Sequence, residues 1–260
     1  MDELLAILGG SWRQLLLYSG GLTLIGVVLV TYRLWRRTGL ELPRQPLDYP
    51  VLLIQIMGLA LYSAALPWPK TYWAYPLDLW TALLLLEAPY WLELRRAWGS
   101  VRPTVRLAAA QQLATVLRVY PLLALATALL AQNAGSLIIR TIQQGHGLLH
   151  WSGLLLWAIT LPPLLLLGPW CSVTNSPLPQ HLRRVGHIAL LTVLALPGGD
   201  AVPYSAGTVA ALTSFGSLVL LDHLWQRHAR TWEWFQPGLT LMGLLLLLWT
   251  AAQDFAARLH

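Results

Sequence analysis

Along most of its length the chain alternates long apolar runs with short polar breaks. Bounded by charge, proline or glycine, the runs fall at residues 14–34, 50–67, 76–95, 112–131, 149–168, 185–197, 203–224 and 235–253. A helix needs about 20 apolar residues to cross a bilayer, and most of these runs approach that length. The sixth is short unless Leu182, Arg183 and Arg184 extend it, so seven crossings is the competing count. The pattern predicts an all-α fold, a polytopic membrane protein of about eight transmembrane helices in one transmembrane domain over residues 1–260. No internal repeat or low-complexity linker interrupts it, and the longest polar stretch, residues 38–48, is only a loop. That leaves no room for an extramembrane catalytic domain.

The basic residues decide the sidedness. With eight crossings, twelve of them share one side: Arg33, Arg36, Arg37, Arg44, Arg95, Arg96, Arg102, Arg106, Arg183, Arg184, Arg227 and Arg230. The other side carries four, Arg13, Lys70, Arg140 and Arg258, and Arg118 falls inside a run. Deleting the sixth crossing weakens the contrast to ten against six. Because cytoplasmic loops concentrate Lys and Arg, the expected topology has eight crossings and both termini outside. The chain opens Met-Asp-Glu without the basic start of a cleaved signal peptide, so the first run is expected to be a retained helix.

Composition agrees. Hydrophobic residues make up 56% of the chain and charged ones 11%, with a mean hydropathy of +0.56, where a soluble domain carries about 25% charged residues. An ordinary soluble enzyme is excluded. The net charge of +6 sits in clusters between apolar runs, so no nucleic-acid partner is expected and the lipid bilayer is. One cysteine, Cys171, rules out an internal disulfide and a cysteine-based metal site within the chain. The fourteen tryptophans, many near run ends, fit anchoring at the headgroup level.

Ionisable groups inside apolar runs are costly and so are candidates for function. Glu87, in LLLLEAPYW, is the deepest acid; Asp78 and Glu93 lie nearer the ends of the same run. Two readings stand for Glu87: a proton relay facing a wetted cavity, or a structural carboxyl, either neutral and hydrogen-bonded against another helix or paired with Arg118. For Arg118 they are snorkelling to the cytoplasmic face, or an ion pair with Glu87 or a contact to a partner subunit. His146 and His150 have the i,i+4 spacing of a ligand pair, but His146 lies in the QQGHG loop. His181, His187, His223 and His228 read as helix-end residues in headgroup water. A di-haem cytochrome needs paired histidines deep in facing helices, so haem is disfavoured. The chain has no Walker loop, nucleophile elbow or HExxH helix, and no catalytic residue is assigned.

Residues 99–144, GSVRPTVRLAAAQQLATVLRVYPLLALATALLAQNAGSLIIRTIQQ, resemble the membrane subunit that joins the hydrophilic and proton-pumping arms of complex I (NADH–quinone oxidoreductase). Membrane-bound group 4 hydrogenases contain the same subunit type. Trp98, Ser100, Arg106, Ala108 to Gln111, Gly135, Ser136 and Gln143 or Gln144 hold the matching places. VTNSP at residues 173–177 looks like the family's E-T-N-R-A-P-F-D loop, and QPLD at 45–48 is similar to its Q-P-L-A-D. The chain departs from the family where acids are expected: Val116 and Val173 replace carboxylates, the first loop is short, and LPQHLRRVGH is basic.

The resemblance implies a non-catalytic membrane subunit in the inner (plasma) membrane of a prokaryote. It would link a cytoplasmic soluble module to an antiporter-like subunit that moves protons or ions. Glu87, Glu93 and Arg118 are its expected proton path; Thr174, Asn175, Pro177, Arg183 and Arg184 its expected docking surface. With Val173 in place of the acid, no quinone or other cofactor is expected in this chain. A stand-alone small-molecule or ion transporter and a haem-binding quinol cytochrome are the other classes considered. The topology makes a direct prediction: a cysteine placed at Arg102 will resist a membrane-impermeant thiol reagent added from outside. Labelling of that cysteine in intact cells would invert the assignment.

Overall fold

The computed structural model describes residues 48–68, 76–165, 177–196 and 204–259, together with Gly26, Val30 and Leu34, which are helical. Its helices are α1 (Asp48–Ala65), α2 (Leu79–Trp98), α3 (Pro103–Ala134), α4 (Ile139–Gln143), α5 (Leu148–Leu164), α6 (Pro177–Ala195) and α7 (Tyr204–Leu259). No strand occurs among the described residues, only an isolated bridge between Asp78 and Ile138.

Local chemistry sets the helix ends. Asp78 caps α2, its carboxylate accepting from the Thr81 backbone N–H at 2.8 Å, which satisfies a donor that a helix start leaves unpaired. Pro103 opens α3, where a missing N–H costs nothing. Gly135 closes it with φ of 63°, a left-handed conformation that favours glycine. The turn beyond reaches back to the start of α2: the Leu79 N–H donates to the Leu137 carbonyl at 2.9 Å and the Ile139 N–H to that of Leu77 at 3.0 Å. Gln143 fastens α4 by donating to the Pro67 carbonyl at 3.2 Å.

Two elements organise the core. Between α3 and α5 the backbones come close at Gly153, where a side-chain carbon would sit 2.7 Å from Leu130 and 3.2 Å from the Ala126 carbonyl oxygen. Leu122, Leu129, Leu130, Trp157 and Leu161 fill the seam and are wholly buried. Helix α6 then packs against α1, α2, α4, α5 and α7 at once. Its residues Ile188, Leu190, Val193 and Leu194 are buried, and the Tyr62 hydroxyl of α1 donates to the Gly186 carbonyl at 3.1 Å.

Each apolar run is helical over most of its described residues, but several boundaries differ from expectation. The helix expected from 112 starts at Pro103, which shortens the basic loop before it. The short sixth run is extended backwards to Pro177, so residues 177–184 are helix and not loop. The loop expected around Arg227 and Arg230 is helical too, since α7 runs unbroken from Tyr204 to Leu259. The reason is chemical: between Gly216 and Pro237 there is neither glycine nor proline, and charge ends a membrane crossing without ending a helix. The first run, apart from Gly26, Val30 and Leu34, and the loop bearing Arg36, Arg37 and Arg44 lie outside the described residues.

Two of the described helices, Pro103–Ala134 and Trp234–Ala252 within α7, are long and apolar enough to cross a membrane. The second presents Trp234, Phe235, Leu241, Met242, Leu245, Leu248 and Trp249 outward. A stripe of that size is what lipid or another subunit covers. The Gly153 seam gives a stability prediction. Gly153→Ala must displace Leu130 and press on the Ala126 carbonyl, a cost of about 1–3 kcal/mol for overpacking. Thermal unfolding followed by tryptophan fluorescence in detergent should show a lower midpoint, and an unchanged one would contradict the close approach.

A buried carboxylate saturated with donors

Glu87 faces α6 from the middle of α2 and is 7% exposed. Arg183 grips it with two parallel bonds, Nε to Oε1 at 2.8 Å and Nη2 to Oε2 at 2.7 Å. His187 Nε2 lies 2.6 Å from Oε1, and the Tyr120 hydroxyl of α3 donates to Oε2 at 2.8 Å. Each carboxylate oxygen thus meets two partners, which fills its lone-pair capacity.

Helix spacing assembles the cluster. Arg183 and His187 stand four residues apart on α6 and share a face, as do Glu87 and Trp91 on α2. Trp91 extends the network outward: its Nε1 donates to the Tyr120 hydroxyl at 2.9 Å, and the two rings stack with centroids 5.9 Å apart. The guanidinium of Arg183 lies 4.0 Å over the Tyr90 ring, a cation–π contact strengthened by burial. Its Nη1 donates to the Leu164 carbonyl at 2.7 Å, and Arg184 Nε donates to the Leu165 carbonyl at 3.1 Å. The two arginines therefore cap α5, whose last carbonyls have no partner within their own helix. Two polar atoms of the cluster have no hydrogen-bond partner among the described residues: the Tyr90 hydroxyl and His187 Nδ1.

Chemically, this is a bidentate pair of the strong, charge-assisted kind. The always-charged guanidinium, the imidazole and the tyrosine hydroxyl all favour the ionised carboxyl. A proton placed on Glu87 would displace a donor and leave Arg183 uncompensated inside the bundle, so the geometry resists it.

The sequence-derived residues fare unequally. Glu87 is central, but its cation is Arg183. Arg118 is exposed elsewhere on α3, and its backbone carbonyl accepts the Gln236 side-chain amide of α7. Glu93 is partly buried further along α2, and its charge acts on Tyr90 of the cluster. Arg183 and Arg184 were expected on a docking surface; at 3% and 4% exposure they are instead interior. Pro177 belongs to α6 and not to a loop, while Thr174 and Asn175 lie outside the described residues. His187, read as a helix-end residue in headgroup water, is fully buried. Of the pair considered for haem, His150 is buried in α5 and His146 is exposed before it. Tyr90, Trp91 and Tyr120 were not singled out from sequence. A signal that could have found the α6 part of the site is Arg183-x-x-x-His187, an i,i+4 pair beside Leu182, Gly186 and Leu190.

No protein-family model matches the chain, and no curated protein matches it. Among solved structures it is similar to a chain of the membrane-bound sulfane sulfur reductase (MBS), an archaeal respiratory membrane complex. The TM-score is 0.55 at 18% identity, over 94% of this chain and 97% of that one. At that identity the likeness is one of fold, and it extends over almost the whole of both chains.

The pair predicts non-additive mutants. Removing one partner of a buried ion pair costs about 3–5 kcal/mol because the other charge is stranded. Arg183→Leu alone should therefore lower the thermal midpoint more than the double variant Glu87→Leu with Arg183→Leu. Strictly additive shifts would show that the two side chains do not interact.

Proposed function

We propose that the chain is a non-catalytic integral membrane subunit of a complex I-like or hydrogenase-like respiratory assembly. In it the chain links a cytoplasmic module to an antiporter-like subunit that moves protons or ions. The observation that carries this is the end-to-end fold likeness to one chain of an archaeal respiratory membrane complex. The motif resemblance at residues 99–144 supports it independently, and so does the uncovered apolar face of α7. The location we propose is the inner membrane of a prokaryote, with eight crossings and both termini outside. That topology requires α7 to divide at its basic middle when embedded, because 56 residues of helix extend about 84 Å and the hydrocarbon core is about 30 Å thick.

Within this reading the proton path through Glu87, Glu93 and Arg118 narrows to the Glu87 cluster, because Arg118 stands apart from it. Docking of the cytoplasmic module falls in this reading to Thr174, Asn175 and Pro177, since Arg183 and Arg184 are interior. No quinone step is assigned to this chain.

Affinity purification of the tagged full-length chain from native membranes in mild detergent tests the proposal. It should bring down other membrane subunits together with a soluble module. A chain that purifies alone and transports a solute by itself in proteoliposomes would overturn it.

A further inference from the structure

The carboxylate is the obvious proton carrier of this site, yet its geometry argues against that role. Both oxygens of Glu87 already meet two partners each, and one of those is a guanidinium that cannot give up its charge. His187 is placed differently. An ionised carboxylate only accepts, so the 2.6 Å contact to Oε1 fixes a hydrogen on Nε2. In the neutral ring the lone pair is then on Nδ1. That nitrogen is buried and has no hydrogen-bond partner among the described residues.

We propose that the proton-exchanging group of the cluster is the imidazole of His187, which gains and loses one proton at Nδ1 while Glu87 stays ionised. The proposal rests on the membrane-subunit reading for its purpose, but not for its chemistry. Taking up a proton forms one N–H bond at Nδ1 and turns imidazole into imidazolium; the same bond breaks on release. The Arg183, Glu87 and His187 group thereby moves between net zero and plus one.

The surroundings set the balance of that step. From α2, His187 faces the Glu87 carboxylate at contact distance, with Tyr90 beside the same ion pair. From its own helix the cation is Arg183, held to Glu87 one turn earlier. From α3 comes Tyr120, whose hydroxyl proton is committed to Glu87. From α1 comes Tyr62, committed to the Gly186 carbonyl. What α5 contributes at this point is backbone, the Leu164 and Leu165 carbonyls that hold the two arginines. Glu87 is thus the anion that an imidazolium would face, while Arg183, which keeps Glu87 ionised, is the like charge that opposes the added proton.

The test uses the full-length chain in lipid nanodiscs with isotope-labelled histidine, the His187 signals being identified by their loss in His187→Gln. Nitrogen chemical shifts read the ring directly. A bare Nδ1 with protonated Nε2 is expected at pH 9, passing to a doubly protonated ring as the pH falls towards 5. Infrared spectra over the same range should show no protonated-carboxyl band that Glu87→Gln removes. Such a band, or a His187 ring that stays neutral throughout, overturns the proposal.

In native membranes His187→Gln keeps a donor for Glu87 but has no site for a proton. It should retain the assembly and lose at least tenfold in coupled ion movement; wild-type coupling in that variant also overturns the proposal. Failure of the chain to copurify with partners would sink the membrane-subunit reading and leave the spectroscopic titration standing.

Discussion

The ion pair between Glu87 and Arg183 is the constraint on which the arrangement of α2, α3, α5 and α6 depends. Burying either charge alone costs several kcal/mol even after relaxation. Neither helix could keep its apolar neighbours packed if its partner moved away. Tyr120 ties α3 to the same carboxylate, and Arg183 ties α5 through the Leu164 carbonyl. One carboxyl group and one guanidinium thus fix four helices, at an interior where dispersion and burial by themselves specify little about register. The short contact between α6 and its neighbours at Gly186, where any side chain would strike Leu86 and Leu59, is what lets the pair close.

A second constraint is backbone accounting. In a bundle that excludes water every carbonyl needs a donor, and prolines remove donors. Pro162 and Pro163 deprive the Ala158 and Ile159 carbonyls of their helical partners. The indole N–H of Trp232 supplies the one at Ile159, at 3.0 Å. Just beyond, Arg183 and Arg184 serve the terminal carbonyls of α5. Trp232 is accordingly buried and belongs to the helix contact between α5 and α7.

How far the chain can be read before it is folded follows from these cases. The helical class and most helix positions are legible, because apolar runs and their breakers are local properties. Glu87 is legible as well, since an acid in LLLLEAPYW has few reasons to be there. Its partner was not, because pairing is a matter of helix register across 96 positions of sequence separation. Arg118 was the nearer cation in the chain, yet it points away on α3. Arg183, Arg184 and His187 looked like a cytoplasmic cluster because charge at the end of an apolar run usually marks a boundary. Here the helix continues through them, and their charges are spent on a carboxylate and on backbone carbonyls.

The same comparison explains why acids are scarce elsewhere in the core. Val116 occupies a fully buried position on α3, where a second carboxylate would need its own cation and donors. The bundle already devotes a guanidinium, an imidazole and a tyrosine hydroxyl to one carboxyl. A site of this kind is suited to holding charge in place and sensing a single added proton, more than to passing protons along a row of acids. The polar investment is concentrated where α2, α3, α5 and α6 meet, while the apolar surface is left outward on α7. On the proposed reading, that division lets the interior respond to protonation while the outer face rests against lipid or a neighbouring chain.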